Sequence, residues 1–216
     1  MRVIEKMRLK QKKLLVGSLV IMAALFIQAC GPQMAAPQES CHFVQNSHQQ
    51  RVSWKDQTPV KLYLHSSVPS NYYAAIERAT NVWNRALGRE VLRIELTGVT
   101  GSQIPSRDGD NMIYWLYTWE ESRPMEQART TVYWSGDRIY EADIRINARN
   151  FHFYGGEKSE DFTGVDLESL MIHEFGHVLG LAHNHKEGSV MNLTLNSGAL
   201  RRDLSKEDLS SISCEY

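Results

Sequence analysis

Apolar and polar residues alternate in Val60-Lys61-Leu62-Tyr63-Leu64-His65, the period-2 pattern of a strand with one buried face. The period then changes. Ala74, Ala75, Ala79, Val82, Trp83 and Ala86 recur at helical spacing, which predicts a helix capped at Ser70, running to about Leu87 and stopped by Gly88. Val91 to Leu96 and Met112 to Tyr117 read as further strands. Thr130 to Trp134 and Arg138 to Ile146, joined through Ser135-Gly136-Asp137, read as a hairpin. A second helix is expected from about Val165 to Leu179, with Thr163 or Asp166 placed to cap it and acidic residues in its first turn. This mixture predicts a single α+β domain.

The second helix ends in His173-Glu174-Phe175-Gly176-His177-Val178-Leu179-Gly180-Leu181-Ala182-His183, which reads H-E-x-x-H-x-x-G-x-x-H. Residues four apart lie one turn above each other on a helix, so His173 and His177 can point two imidazoles at one ion. Zinc accepts such nitrogens at about 2.0–2.1 Å. Gly180 can take φ > 0 at no steric cost, end the helix and bring His183 round as the third ligand. Three protein ligands leave a position open for water, as in catalytic rather than structural zinc sites. Glu174, in the same turn, can reach that water as general base. A lone histidine on an apolar helix face is usually a packed core residue, but five specified positions over eleven residues are far stricter than H-E-x-x-H alone. His185 follows two residues after His183, and the motif spacing favours His183.

With Gly188-Ser189-Val190-Met191-Asn192 eight residues downstream, the chain resembles the metzincin metalloproteases, whose zinc motif is followed by a turn carrying a methionine. Met191 matches that Met-turn residue. Within the metzincins the chain is most similar to the matrixins. Glu141-Ala142-Asp143-Ile144-Arg145-Ile146-Asn147 looks like the matrixin edge strand that runs alongside substrate, Ala79 to Trp83 like the Trp-bearing first helix, and Asp203 to Ile212 like the start of the C-terminal helix. The resemblance covers most of residues 58–213 and implies a metzincin-type zincin domain, with a twisted mixed sheet, an active-site helix and a C-terminal helix. It further implies one catalytic Zn²⁺, peptide or protein substrates, and room for Ca²⁺. Asp108, Asp110, Asp137 and Asp161 form no recognisable calcium loop, however, and read as surface carboxylates. Other departures stand out. Asn192-Leu193-Thr194 follows Met191 where a matrixin has a Pro-x-Tyr wall for the residue after the scissile bond. The structural-zinc motif His-x-Asp is missing, since His152 sits in Asn150-Phe151-His152-Phe153-Tyr154, and no cysteine switch is recognised ahead of the domain.

The 216 residues are 42% hydrophobic with a formal net charge of −1, which suits one globular domain, expected as a monomer, and gives no basic face for nucleic acid. Basic residues concentrate instead at Arg2, Lys6, Arg8, Lys10, Lys12 and Lys13, ahead of an apolar run from Leu14 to Ala29. That order reads as an export signal over residues 1–29, shorter than the ~20 apolar residues of a spanning helix. Leu25-Phe26-Ile27-Gln28-Ala29-Cys30-Gly31 resembles a bacterial lipobox, which implies lipidation of Cys30; an uncleaved anchor, or cleavage after Ala36, is the alternative. A lipid anchor places the protein at the bacterial cell envelope, the outer membrane or surface being favoured. Residues 30–40 then form a tether and 41–216 the domain. Cys41 and Cys214 remain as a pair, and an exported protein would join them in a disulfide, worth about 4–5 kcal/mol in the chain-entropy picture. Arg201-Arg202 reads as a solvated charge pair. The expected activity is a zinc-dependent endopeptidase. The alternatives are a non-catalytic envelope lipoprotein that uses the fold to bind, against which the intact Glu174 argues, and a zinc enzyme acting on cell-wall peptide.

Overall fold

In a computed structural model, which describes residues 36–156 and 163–216, Val60–His65 forms strand β1, an interior strand of the sheet. Val60, Leu62 and Leu64 are buried in the core, and His65 is buried as well. The export signal, Cys30, most of the tether and Asp161 lie outside the described residues. β1 pairs in parallel with β2 (Leu92–Val99) and with β3 (Asn111–Leu116); β3 pairs in parallel with β5 (Arg138–Asn147). The hairpin arm β4 (Ala128–Ser135) adds antiparallel to β5, completing a mixed sheet of order β2-β1-β3-β5-β4. The fold is α+β, as expected.

That order corrects one expectation. Glu141–Asn147 is flanked by β3 and β4 and is an interior segment; the edge strand is β4. Ala142, Ile144 and Ile146 are all fully buried on the core face. Alternation reports which face of a strand is buried, not whether a neighbour pairs with its outer edge, so either hairpin arm fits the pattern.

Helix α1 (Tyr73–Leu87) turns Ala75, Ile76, Ala79, Val82 and Trp83 inward, while Ala74 faces solvent. Ser70 does not cap it: the chain enters through a 3₁₀ turn, Ser70–Tyr72, that lacks a side-chain cap. Gly88 ends it at φ 63°, the left-handed conformation that glycine adopts without strain. The fully buried Trp83 donates from Nε1 to Ile172 O at 3.0 Å, tying α1 to α2 (Leu167–Val178). Just ahead of α2, two short strands, β6 (Phe153–Tyr154) and β7 (Val165–Asp166), pair in parallel; two residues are too few to leave a period. The last helix, α3 (Lys206–Ile212), opens with a capping box in which Ser205 and Asp208 satisfy each other's main-chain donors.

The segment before β1 is fastened to both later parts of the chain. Cys41 and Cys214 form a disulfide across 173 residues, as the pairing argument expected. Beside it, Arg51 and Lys55 both bind the carboxylate of Glu215, at 2.8 and 2.6 Å. Phe43 bridges to Leu181, which brings the N-terminal strap against the motif itself.

Candidate metal centre and cleft

Asp166, not Thr163, caps α2: its carboxylate accepts from Ser169 N at 3.0 Å and Ser169 Oγ at 2.6 Å. The helix then carries His173 and His177 one turn apart. Its last turn closes through Gly180 N to His177 O and Leu181 N to Gly176 O, both 2.9 Å. Gly180 sits at φ 102°, and a Cβ built there would lie 2.3 Å from Val52 O. Glycine is therefore required twice over, for the left-handed turn and for the contact with the strap. Val44 N donates to Gly180 O at 2.9 Å and Ala182 N to His42 O at 2.7 Å, so the strap holds the loop that presents His183.

The three Nε2 atoms of His173, His177 and His183 lie 3.1–3.2 Å apart. Four-coordinate zinc with bonds near 2.1 Å would hold its nitrogens about 3.4 Å apart, so a small relaxation seats one ion. The far sides of two rings decide their tautomers. His173 Nδ1 donates to Val190 O and His177 Nδ1 to Leu181 O, each at 2.7 Å. A carbonyl can only accept, so those Nε2 atoms carry lone pairs that face one another. Burial holds His173 neutral down to about 3, and burial with the neighbouring His177 lowers His183 to about 4. Converging neutral lone pairs suit a cation. His185 is exposed and outside this group; among the described residues the side chains placed to share one ion are the predicted triad. Asp108 and Asp110 are exposed, and Asp137 pairs with Lys55.

Glu174 is buried and accepts from Thr130 Oγ1 at 2.6 Å. Burial raises its carboxyl above the usual range, against the opposing pull of His177 and Thr130. Met191 is buried beneath the helix: a Cβ on Gly176 would come 2.2 Å from its Sδ. Gly176, an unspecified position in the motif, is thus the opening through which the Met-turn approaches α2. The turn is moored from α3. Asp208 accepts from Ser189 Oγ at 2.5 Å and from Val190 N at 3.0 Å, while Asn184 Nδ2 donates to Ser189 Oγ at 2.9 Å. Thr130, Gly176 and Asp208 escaped the sequence reading. Only Asp208 left a signal, the Ser-x-x-Asp capping box, which marks a helix start and says nothing of a turn held nearby.

The sequence pattern that defines the family described as Matrixin matches residues 54–216. The chain belongs to the matrixin family. It is 44% identical over 54 residues to Metalloendoproteinase 2-MMP of Arabidopsis thaliana, covering 25% of this chain and 14% of that protein. It is 30% identical over 147 residues to Stromelysin-1 of Mus musculus, covering 66% of this chain and 28% of the mouse protein. Both alignments span less than a third of the relative's own length.

In this matrixin the triad stands in an open cleft of about 820 Å³. β4 lines one side with Ala128, Thr130, Val132 and Trp134; Asn192–Ser197 forms the other. Exposed apolar side chains of Met125, Trp134 and Leu193 mark its rim. The two arginines read as a solvated pair are instead engaged, which corrects that reading. Arg202 binds Asp166 and Arg201 donates to the carbonyls of Asn192 and Thr194. Sequence adjacency does not show which main-chain acceptors a loop will offer.

Proposed function

We propose that this chain is a zinc-dependent endopeptidase acting on peptide or protein substrates, with His173, His177 and His183 as metal ligands and Glu174 as general base. The observation that carries the reading is the convergence of three lone-pair nitrogens beside a buried carboxylate, in one cleft bordered by an edge strand. A zinc ion held by His173, His177 and His183 would supply Lewis acidity toward the scissile carbonyl and the attacking water. Thr130 holds one oxygen of Glu174, leaving the second to take the water's proton and return it to the departing amine. The outer edge of β4 pairs with an extended substrate main chain, and the apolar rim favours apolar side chains.

The test is cleavage of a diverse fluorogenic peptide library, with and without a zinc chelator, beside Glu174→Ala. Chelator-sensitive hydrolysis lost in the variant is expected. Hydrolysis retained by Glu174→Ala would sink the assignment, and one bound zinc without turnover would favour a binding protein. We also propose export and lipid anchoring through Cys30, which rest on the lipobox-like run. Mass spectrometry should find an acylated Cys30 at the mature N-terminus; an unmodified N-terminus at Pro37 would overturn it.

A further inference from the structure

We propose that Arg201 is a specificity-determining positioning residue: it shapes the pocket for the substrate side chain that follows the scissile bond. The proposal rests on the endopeptidase reading, because the resemblance to matrixins makes the segment after the Met-turn the wall of that pocket. Here the wall is Asn192-Leu193-Thr194, without the proline and tyrosine that would stiffen it. Asn192 is held by a β-bridge to Asn184, but beyond it residues 193–197 line the cleft in turns and irregular chain that no helix or sheet ladder fixes.

Two side chains supply the missing rigidity. From beneath, Arg201 Nη1 donates to Asn192 O at 3.1 Å and Nη2 to Thr194 O at 2.6 Å. From the β4 side, Gln127 Nε2 donates to Leu195 O at 2.9 Å. The arginine is itself anchored, since its main-chain N donates at 2.7 Å to Ser169 Oγ, which in turn donates to the cap Asp166. The wall is thereby tied to the start of α2, the helix that carries the metal ligands. The guanidinium is half-buried and spends two of its donors on the wall. A planar fork spans two alternate carbonyls at once; a lysine ammonium cannot reproduce that geometry.

Fixing the carbonyls of 192 and 194 on Arg201 fixes the wall's distance from Leu170 and His173 across the cleft. Selectivity for side-chain size at this subsite then depends on Arg201, although Arg201 touches no reacting atom. The zinc-loaded wild type, Arg201→Lys and Arg201→Met are titrated calorimetrically with two peptidyl hydroxamates. The probes differ only in a methyl or an isobutyl group at the position entering the pocket. Wild type should prefer isobutyl by about tenfold or more. Arg201→Met should bring the two affinities within about twofold while still binding one zinc, with Arg201→Lys between them.

A ratio unchanged in Arg201→Met, or equal weakening of both ligands, overturns the proposal; so does a wild type that does not discriminate. Should Arg201→Met fail to fold, Arg201→Lys decides alone, and a retained ratio overturns it. Because ligand binding needs no turnover, a collapsed ratio in a protein that cleaves no peptide would remove the endopeptidase reading and leave the pocket assignment standing.

Discussion

The two sides of the cleft are held by different kinds of bond. On the histidine side, main chain sets most positions: a helical turn spaces His173 and His177, Gly180 turns the chain, and the carbonyls of Val190 and Leu181 orient two rings, the Val190 turn being moored by the side chain of Asp208. At the Asn192–Ser197 wall, the chain leaves a single bridge between Asn184 and Asn192 and is then held by the side chains of Arg201 and Gln127. A wall that depends on Gly176 and Gly180 does not accept a Cβ at either. One set by side chains can be reshaped by a single replacement while the metal centre stays as it was. On the proposed reading, the division places chemistry on one side and selectivity on the other.

The largest effect expected on the chemical side is that of Glu174→Ala. Its kcat should fall by about 10²–10⁴, the usual contribution of a positioned proton-transfer group, with zinc content unchanged by elemental analysis. Loss of zinc in this variant would mean that the carboxylate holds the site together and does not merely serve it. Next comes Gly180→Ala, whose methyl must avoid the Val52 carbonyl at a φ that alanine resists. About 3 kcal/mol of stability should be lost, by urea unfolding, together with zinc affinity. Unchanged zinc affinity would show that His183 does not depend on the main-chain turn, which breaks the comparison at its strongest point.

Cys214→Ser should cost less, about 2–4 kcal/mol in the same unfolding measurement. The chain-entropy figure is higher, but Arg51 and Lys55 still grip Glu215, one residue beyond Cys214, when the disulfide is gone. The disulfide adjoins His42, whose carbonyl holds the His183 loop at Ala182. Zinc affinity should therefore weaken slightly, where Gly180→Ala weakens it greatly. An equal loss in the two variants would mean that the strap, rather than the glycine turn, places the third ligand.

What could be read in the sequence follows the same division. The triad, Glu174, Gly180 and Met191 act through fixed spacing, and spacing is what a sequence displays. α1 was legible because it buries one face over several turns, and α2, buried almost all round, because its motif spacing and the cap at Asp166 mark it. The edge strand was assigned to the wrong hairpin arm because pairing partners leave no period in either arm. Thr130 reaches Glu174 across 44 residues, and Arg201 reaches Asn192 and Thr194 across an irregular loop. Such contacts are fixed only when the fold closes, so nothing local announces them.

The smallest effect expected lies outside the cleft, at Asp143 on the interior strand β5. Burial, with the nearby carboxylates of Glu141, Asp108 and Asp110, raises its pKa from 3.8 to about 7, against one hydrogen bond from Met112 N at 3.0 Å. A raised acid pKa means that the folded chain binds this proton more tightly than the unfolded chain does. The stabilisation is present in full below about pH 4 and is lost as pH rises through about 7. Asp143→Asn keeps the shape and cannot ionise, so its melting temperature relative to wild type should rise between about pH 4 and pH 8. Zinc content and the hydroxamate ratio should not move, since neither side of the cleft depends on this carboxylate. A melting difference that is flat with pH would show that Asp143 stays ionised throughout. A shift in the ratio would show that the wall feels the far face of the sheet, and the separation of the two sides would fail there.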